Sequence, residues 1–285
     1  MNAEFLIDIF VDSLRDCASL FSFLFFTYLL LEYMERYSSE KTLNMIAKAR
    51  KTGPVIGAVC GLLPQCGFAA AAANLFAAKV ISLGTLMAVF LTTSDELLPI
   101  LLSNSVPLAT IAKIIGIKFV IGLFFGYLCM FFTQNKQQAI DIESLCEKED
   151  CHCAGNGIVR PALYHAVKIT IFVWLISLII NLIWQVAGNN WQHNTLLQHQ
   201  IFGPLIAGII GLLPNCSVSV ALSQMWVEGV MNLGALIAGL SSGAGMGLLV
   251  LFRVNANRRE NIKITAMLYS FAVIAGIVAD FFNNM

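Results

Sequence analysis

Charge is what this chain has least of. Of its 285 residues 12% are Asp, Glu, Lys or Arg while 58% are hydrophobic, and the mean hydropathy is +0.78. Soluble domains carry about 25% charged residues and about 45–50% apolar ones, so this composition excludes a water-soluble globule and calls for a bilayer. Seventeen basic and seventeen acidic residues cancel, which leaves no field to gather nucleic acid and makes sign informative only loop by loop. No GxxxxGK[ST] loop occurs, so no internal ATP drive is visible. No CxxC pair occurs, which argues against a thiol-redox enzyme. The first apolar run lacks a basic leader, carries Glu4, Asp8, Asp12 and Asp16, and outlasts the about 7–15 residue core of a signal peptide, so it reads as a retained helix.

What is there is apolar run after apolar run. Phe5–Met34, Val55–Ala78, Ile81–Leu102, Ile111–Phe132, Val159–Val186, Ile201–Met225, Leu233–Phe252 and Ile262–Phe282 each approach the roughly 20 residues of a spanning helix. Gly53 to Phe132 and Gly203 to Phe282 also align without gaps at an offset of 150, with 21 of 80 paired positions identical. The shared positions include Pro54/Pro204, Gly61/Gly211, Pro64/Pro214, Cys66/Cys216, Gly84/Gly234, Lys113/Lys263 and Gly126/Gly276. Greasy composition alone does not conserve glycine, proline and cysteine in register. Interrupted apolar segments at matching places in two membrane halves point to a transporter binding site.

Basic residues cluster at Arg36, Lys41, Lys48, Arg50 and Lys51 and again at Arg253, Arg258, Arg259 and Lys263, which sets those loops in the cytoplasm. The Asn104 to Ala112 and Gly188 to Gln200 loops contain no Lys or Arg and face outward, with both termini. Between these anchors each half must cross an odd number of times, yet each holds two apolar segments there. One of the two must enter and return, and Pro64 and Pro214 mark it, since proline removes a backbone donor and clashes with the preceding turn. The expected fold is an all-α polytopic protein of the cell (inner) membrane. It has two inverted-topology repeats, each with three full transmembrane helices plus a re-entrant helical hairpin, about ten helical segments in all. Residues 1–133 form the first repeat, 134–158 a cytoplasmic linker and 159–285 the second repeat.

The hairpin tips, Pro64-Gln65-Cys66-Gly67 and Pro214-Asn215-Cys216-Ser217, are expected to meet near the midplane. Asp95 and Glu96 lie in LTTSDELLP, inside an apolar segment, where a carboxylate costs about 2.5–3.5 kcal/mol on the insertion scale. Function offsets such a cost; the alternative is an interfacial pair at the outer helix end. Thr92, Thr93 and Ser94 add hydroxyl oxygens, and Pro99 loosens the helix just after them. The matching stretch is Ser241-Ser242-Gly243-Ala244-Gly245-Met246-Gly247, which glycine either breaks or packs closely.

Cys66 and Cys216 each start a returning half-helix, whose N-terminal amides favour a negative charge. With Gln65, Asn215, Ser217 and Asp95 or Glu96 they make a mixed sulfur and oxygen set, and Met246 adds a soft ligand. Cys17, Cys60 and Cys129 are packing residues. The loop Cys146-Glu147-Lys148-Glu149-Asp150-Cys151-His152-Cys153 is either a cytoplasmic metal-collecting patch, built on Cys146, Cys151, His152 and Cys153, or a plain solvated linker.

The PQCG and PNCS tips, the TTSDELLPI stretch and the Cys/His-rich central loop together resemble the ten-transmembrane heavy-metal exporter family, whose members are labelled manganese transporters or arsenic efflux proteins. The similarity runs over nearly the whole chain. It implies transport of a metal and ten segments, which the hairpins supply if each contributes two helices.

The reading is therefore a secondary transporter, not an enzyme, needing no cofactor. It exports a divalent or heavy-metal cation (Mn, Zn, Cu class) or arsenite in exchange for protons, with Asp95 or Glu96 taking up a proton as the metal leaves. Its partners are the transported ion and the lipid bilayer, not nucleic acid, and a homodimer is compatible with it. One alternative keeps the architecture and carries a sulfur-containing or other small anion on the half-helix N-termini. A second is a membrane thiol-redox enzyme using Cys66 and Cys216.

Overall fold

A computed structural model describes residues 21–22, 25–26, 28–29, 33, 52–63, 66–93, 97–133, 159–160, 162–164, 166–172, 174–175 and 195–283. Among them the regular structure is helical. In the first half α1 spans Gly53–Gly61, α2 Cys66–Ala77, α3 Leu83–Thr92, α4 Leu97–Ser103 and α5 Leu108–Thr133. In the second, α6 spans Phe202–Gly211, α7 Cys216–Val227, α8 Leu233–Ser242, α9 Met246–Val254 and α10 Arg258–Asn283. Three of the five pairs share both boundaries at the 150-residue offset; α1 and α6 differ by one residue at the start, and α4 and α9 by one residue at each end.

The sequence explains these boundaries. Pro54 and Pro204 stand in the first turns of α1 and α6, where a missing N–H loses nothing. Pro214 cannot lie inside a helix without forfeiting a hydrogen bond, and it sits in the gap between α6 and α7, where the Asn215 N–H turns back to the Leu213 carbonyl at 2.8 Å. The side chains of Ser82 and Asn232, at matching positions, accept from the N–H groups of Thr85 (3.2 Å) and Ala235 (2.8 Å), so each α3/α8 start carries the same kind of N-cap.

Four stretches are long and apolar enough to cross a membrane: Leu83–Ser103, Leu108–Phe132, Leu233–Val254 and Arg258–Phe282. The first and third are largely buried and the second and fourth largely exposed. The α3/α4 and α8/α9 pairs are therefore the inner elements. Helices α5 and α10 are outer ones, showing Val120, Phe124, Phe131, Ile274, Val278 and Phe282 to their surroundings.

Within each half the outer helix packs on the inner one through glycine. A Cβ on Gly84 would fall on the Gly126 carbonyl, and one on Gly234 on the Gly276 carbonyl. Between halves, α2 packs on α9 and α7 on α4. Ala69, Ala70 and Ala73 accordingly share a buried cluster with Met246, Leu248 and Leu251, while Leu97 and Leu101 share another with Val218 and Leu222. Small residues allow such close approach, and dispersion between the backbones stabilises it where lipid supplies no hydrophobic drive.

Replacing Gly84 or Gly234 by Ala is expected to destabilise the protein by about 1–3 kcal/mol through overpacking. Gly116→Ala, with nothing within 4 Å of the added methyl group, is expected to be no less stable than the parent, and thermal melting in detergent checks the contrast.

Candidate functional site

Both inner elements are broken at the same register. Helix α3 ends at Thr92, and Thr93 leaves it with φ −51° and ψ 129°; the chain is helical again from Leu97. Helix α8 ends at Ser242, Gly243 departs with φ −79° and ψ 85°, and Gly245 adopts φ 50° and ψ −137° just before α9. A positive φ with that ψ is a region only glycine enters cheaply. Pro99 is the third residue of α4, so it opens a helix, where its lost donor is harmless, and the interruption lies ahead of it.

A helix that stops leaves its last four carbonyls without N–H partners. Here an amine takes two freed carbonyls, and hydroxyls add a second bond to carbonyls of the last turns, those of Val89, Gly208 and Gly239 already accepting a backbone N–H. Thr92 Oγ1 donates to the carbonyls of Ala88 (2.8 Å) and Val89 (3.1 Å), and Thr93 Oγ1 to that of Val89 (2.7 Å). Ser242 Oγ donates to the carbonyls of Gly239 (3.0 Å) and, in α6, Gly208 (2.8 Å). All three side chains are buried, so these hydroxyls reinforce the last turns of α3, α6 and α8 while keeping lone pairs for other partners.

The amine belongs to Lys118, in the middle of α5 and fully buried. Its Nζ donates to the Thr93 carbonyl at the end of α3 and, at 3.3 Å, to the Leu240 carbonyl in the last turn of α8. One ammonium thus joins the broken inner elements of both halves. The carbonyl end of a helix carries about half a negative charge, and two such ends converge on it.

The remaining ends gather around this point. A Cβ on Gly61 would meet Thr92 and Val89, one on Gly211 would meet Gly239 and Ser242, and one on Gly247 would lie 2.8 Å from the Ala69 Cβ. Cys66 and Cys216 are the first residues of α2 and α7, one turn before Ala69 in the first case. Asn215, Ser241, Ser242 and Met246 are all buried, and among the described residues Ser241 Oγ has no hydrogen-bond partner. Buried polar groups are normally satisfied, so this hydroxyl, on the residue after Leu240, keeps its donor and lone pairs for a polar ligand.

Gln65, Ser94, Asp95 and Glu96 lie outside the described residues, as do the side chains of Cys66, Cys216 and Ser217 and the whole of Cys146, Cys151, His152 and Cys153. Among the described residues no three His, Cys, Asp or Glu side chains come together. The oxygen donors in view are main-chain carbonyls and hydroxyls.

Two charged residues escaped the reading of the sequence. Lys118 stands within the apolar run Ile111–Phe132, where a lysine costs about as much to bury as Asp95 does in its segment. Asp280 lies in Ile262–Phe282, and its Oδ1 accepts from the Gly234 N–H at 2.7 Å. It caps the N-terminus of α8, far from Leu240, and a carboxylate is favoured at that helix end.

The family description "Putative, 10TM heavy-metal exporter" matches residues 5–189. That extent takes in the first half, the central loop and the apolar run Val159–Val186 and stops before α6, so it is narrower than the near-complete resemblance read from the motifs. No curated protein and no solved structure matches the chain.

Gly245→Ala is expected to lower stability by about 1–3 kcal/mol, the scale of a non-glycine residue forced into such a backbone region. A melting curve no different from that of Gly116→Ala would show that the α8/α9 interruption does not need this glycine.

Proposed function

The chain belongs to the ten-transmembrane heavy-metal exporter family, and from that premise we propose that it is a secondary active transporter exchanging a heavy-metal or divalent cation, or arsenite, for protons. The observation that carries this reading is the ammonium of Lys118 held by helix-end carbonyls from both halves. A polar crossing of two interrupted elements is where alternating access needs its fixed site, with one repeat rocking against the other around it.

Opposed orientation of the two halves is part of the proposal. The common register of the helix boundaries and the reciprocal packing of α2 on α9 and α7 on α4 support it. So does the placing of glycine at equivalent crossings. Helices α1/α2 and α6/α7 are then the re-entrant hairpins. On the charge distribution of the loops both termini lie outside and the 134–158 linker in the cytoplasm.

Asp95 and Glu96 follow Thr93 after the single residue Ser94, and we assign them the charge of the cargo site. Cys66 and Cys216 add the soft ligands that would favour Zn, Cu or arsenite over Mn, a harder ion. The cluster at Cys146, Cys151, His152 and Cys153 delivers metal from the cytoplasmic side.

A second reading, transport of a small anion, draws on one observation: a buried ammonium is also a counter-charge for an anion. The Asp95→Asn variant separates the two. In vesicles holding purified protein, cation transport should fall about 10–100-fold, the scale on which disturbing a metal's ligand shell acts. An anion carrier would keep or raise its rate, and transport indifferent to an imposed pH gradient would contradict proton exchange. Cys66→Ser and Cys216→Ser should depress Zn, Cu and arsenite transport while affecting Mn least.

A further inference from the structure

We infer that the groove between α5 and α10 is a binding site for an anionic phospholipid, with one acyl chain lying along the groove and the phosphate at Lys113. The site is separate from the cargo site and needs only that these two helices lie in a bilayer. It therefore stands or falls independently of the transport reading.

The two outer helices meet where Phe125 and Phe271 stack, with ring centroids 4.4 Å apart. From that stack a cavity of about 630 Å³ opens between them, within the range of about 300–1,000 Å³ usual for ligand sites. Ala275 and Ala279 are buried at its floor, while Val120, Phe124 and Phe282 stand exposed along its walls. Small residues make the space: a Cβ added at Gly116, which also lines it, would meet nothing within 4 Å. Apart from Lys113 at one end, every lining residue is apolar.

Length and charge select the occupant. Along α5 the lining runs from Ala112 to Phe125, about 20 Å at about 1.5 Å per residue. One leaflet's hydrocarbon is about 15 Å deep, half of a core of about 30 Å, so the groove has the reach of one lipid chain. Lys113 is exposed in the second turn of α5, where a lysine lays its stem on apolar surface and carries its ammonium to the headgroups. An ammonium has three N–H donors, so a phosphate contact leaves donors for contacts within the chain. Among the described residues no acid lines the groove. Asp280, one residue after Ala279, is turned to the Gly234 N–H instead.

The repeat shows what fills the equivalent space. Ile117 and Val278 line the groove, and their counterparts at the 150-residue offset are Met267 and Leu128. Those two are packed against the buried cluster that holds Ala162, Ala166 and Ile169. One end of the α5/α10 seam is thus covered by apolar groups of the chain itself, and the other, where Val278 is exposed, is left for an apolar group from the membrane.

The test is native mass spectrometry of the full chain, purified in detergent and exposed to equal amounts of dioleoyl phosphatidylglycerol and dioleoyl phosphatidylcholine, with glycerol 3-phosphate as a headgroup lacking chains. The wild type should retain one lipid per chain and favour phosphatidylglycerol about fivefold, the scale of about 1 kcal/mol for one lysine at an anionic surface. Excess glycerol 3-phosphate should not displace it. Lys113→Gln should retain the two lipids alike, and Lys113→Arg should keep the preference. Gly116→Leu, which puts a side chain into the groove, should lose the retained lipid; Val278→Trp obstructs it from the other wall and decides the matter if the Leu variant does not fold. A wild type without preference, displacement by glycerol 3-phosphate, or undiminished retention in a folded groove variant overturns the proposal. So does a dimer that Gly116→Leu breaks and that retains no lipid, which would give the groove to a second copy of the chain.

Discussion

Backbone that leaves a helix inside hydrocarbon must find hydrogen bonds within the protein, because lipid offers none. Everything distinctive here follows from how that demand is met at the ends of α3 and α8. Thr92, Thr93 and Ser242 return their hydroxyls to nearby carbonyls, and Lys118 reaches across from α5 to satisfy the Thr93 and Leu240 carbonyls together. The last bond is the informative one, since it puts a charged group where a neutral hydroxyl or amide donor would have sufficed. Burying an ammonium is costly unless it is well paired, so its presence at the junction of two halves speaks for function more than for stability.

The repeat supplies the frame and its departures supply the chemistry. Glycine crossings, capped helix starts and broken inner elements recur at 150 residues' distance, which builds two similar walls. The groups that would handle charge do not recur. Gly245 and Met246 stand opposite Asp95 and Glu96, and Leu268 opposite Lys118. A symmetric shell around an asymmetric centre suits a carrier, in which two access states need similar scaffolds while the cargo needs one set of ligands.

Much of the scaffold was legible in the sequence because its causes are local. Proline at 214 forbids a continuous helix, and the chain breaks there; the glycines at 243 and 245 predict a break or a close crossing, and the break is found. The membrane character follows from composition alone. Lys118 carries no such signature: it is neither an acid nor a thiol, and the halves do not share it, since its counterpart is Leu268. Its partners, the carbonyls of Thr93 and Leu240, are main-chain atoms with no sequence signature. The hydroxyls of Thr92, Thr93 and Ser242 read as cargo ligands, yet their donors are spent on helix ends, a use that only the positions of the breaks reveal.

The central claim is that cargo binds where the two halves' helix ends converge. Anomalous scattering from crystals of the full chain grown with Mn²⁺ at alkaline pH tests it most directly. The account predicts a peak between the two halves, beside the Thr93 and Leu240 carbonyls. Metal found solely in the central loop around Cys151, or on the outer face of α5 and α10, would contradict it.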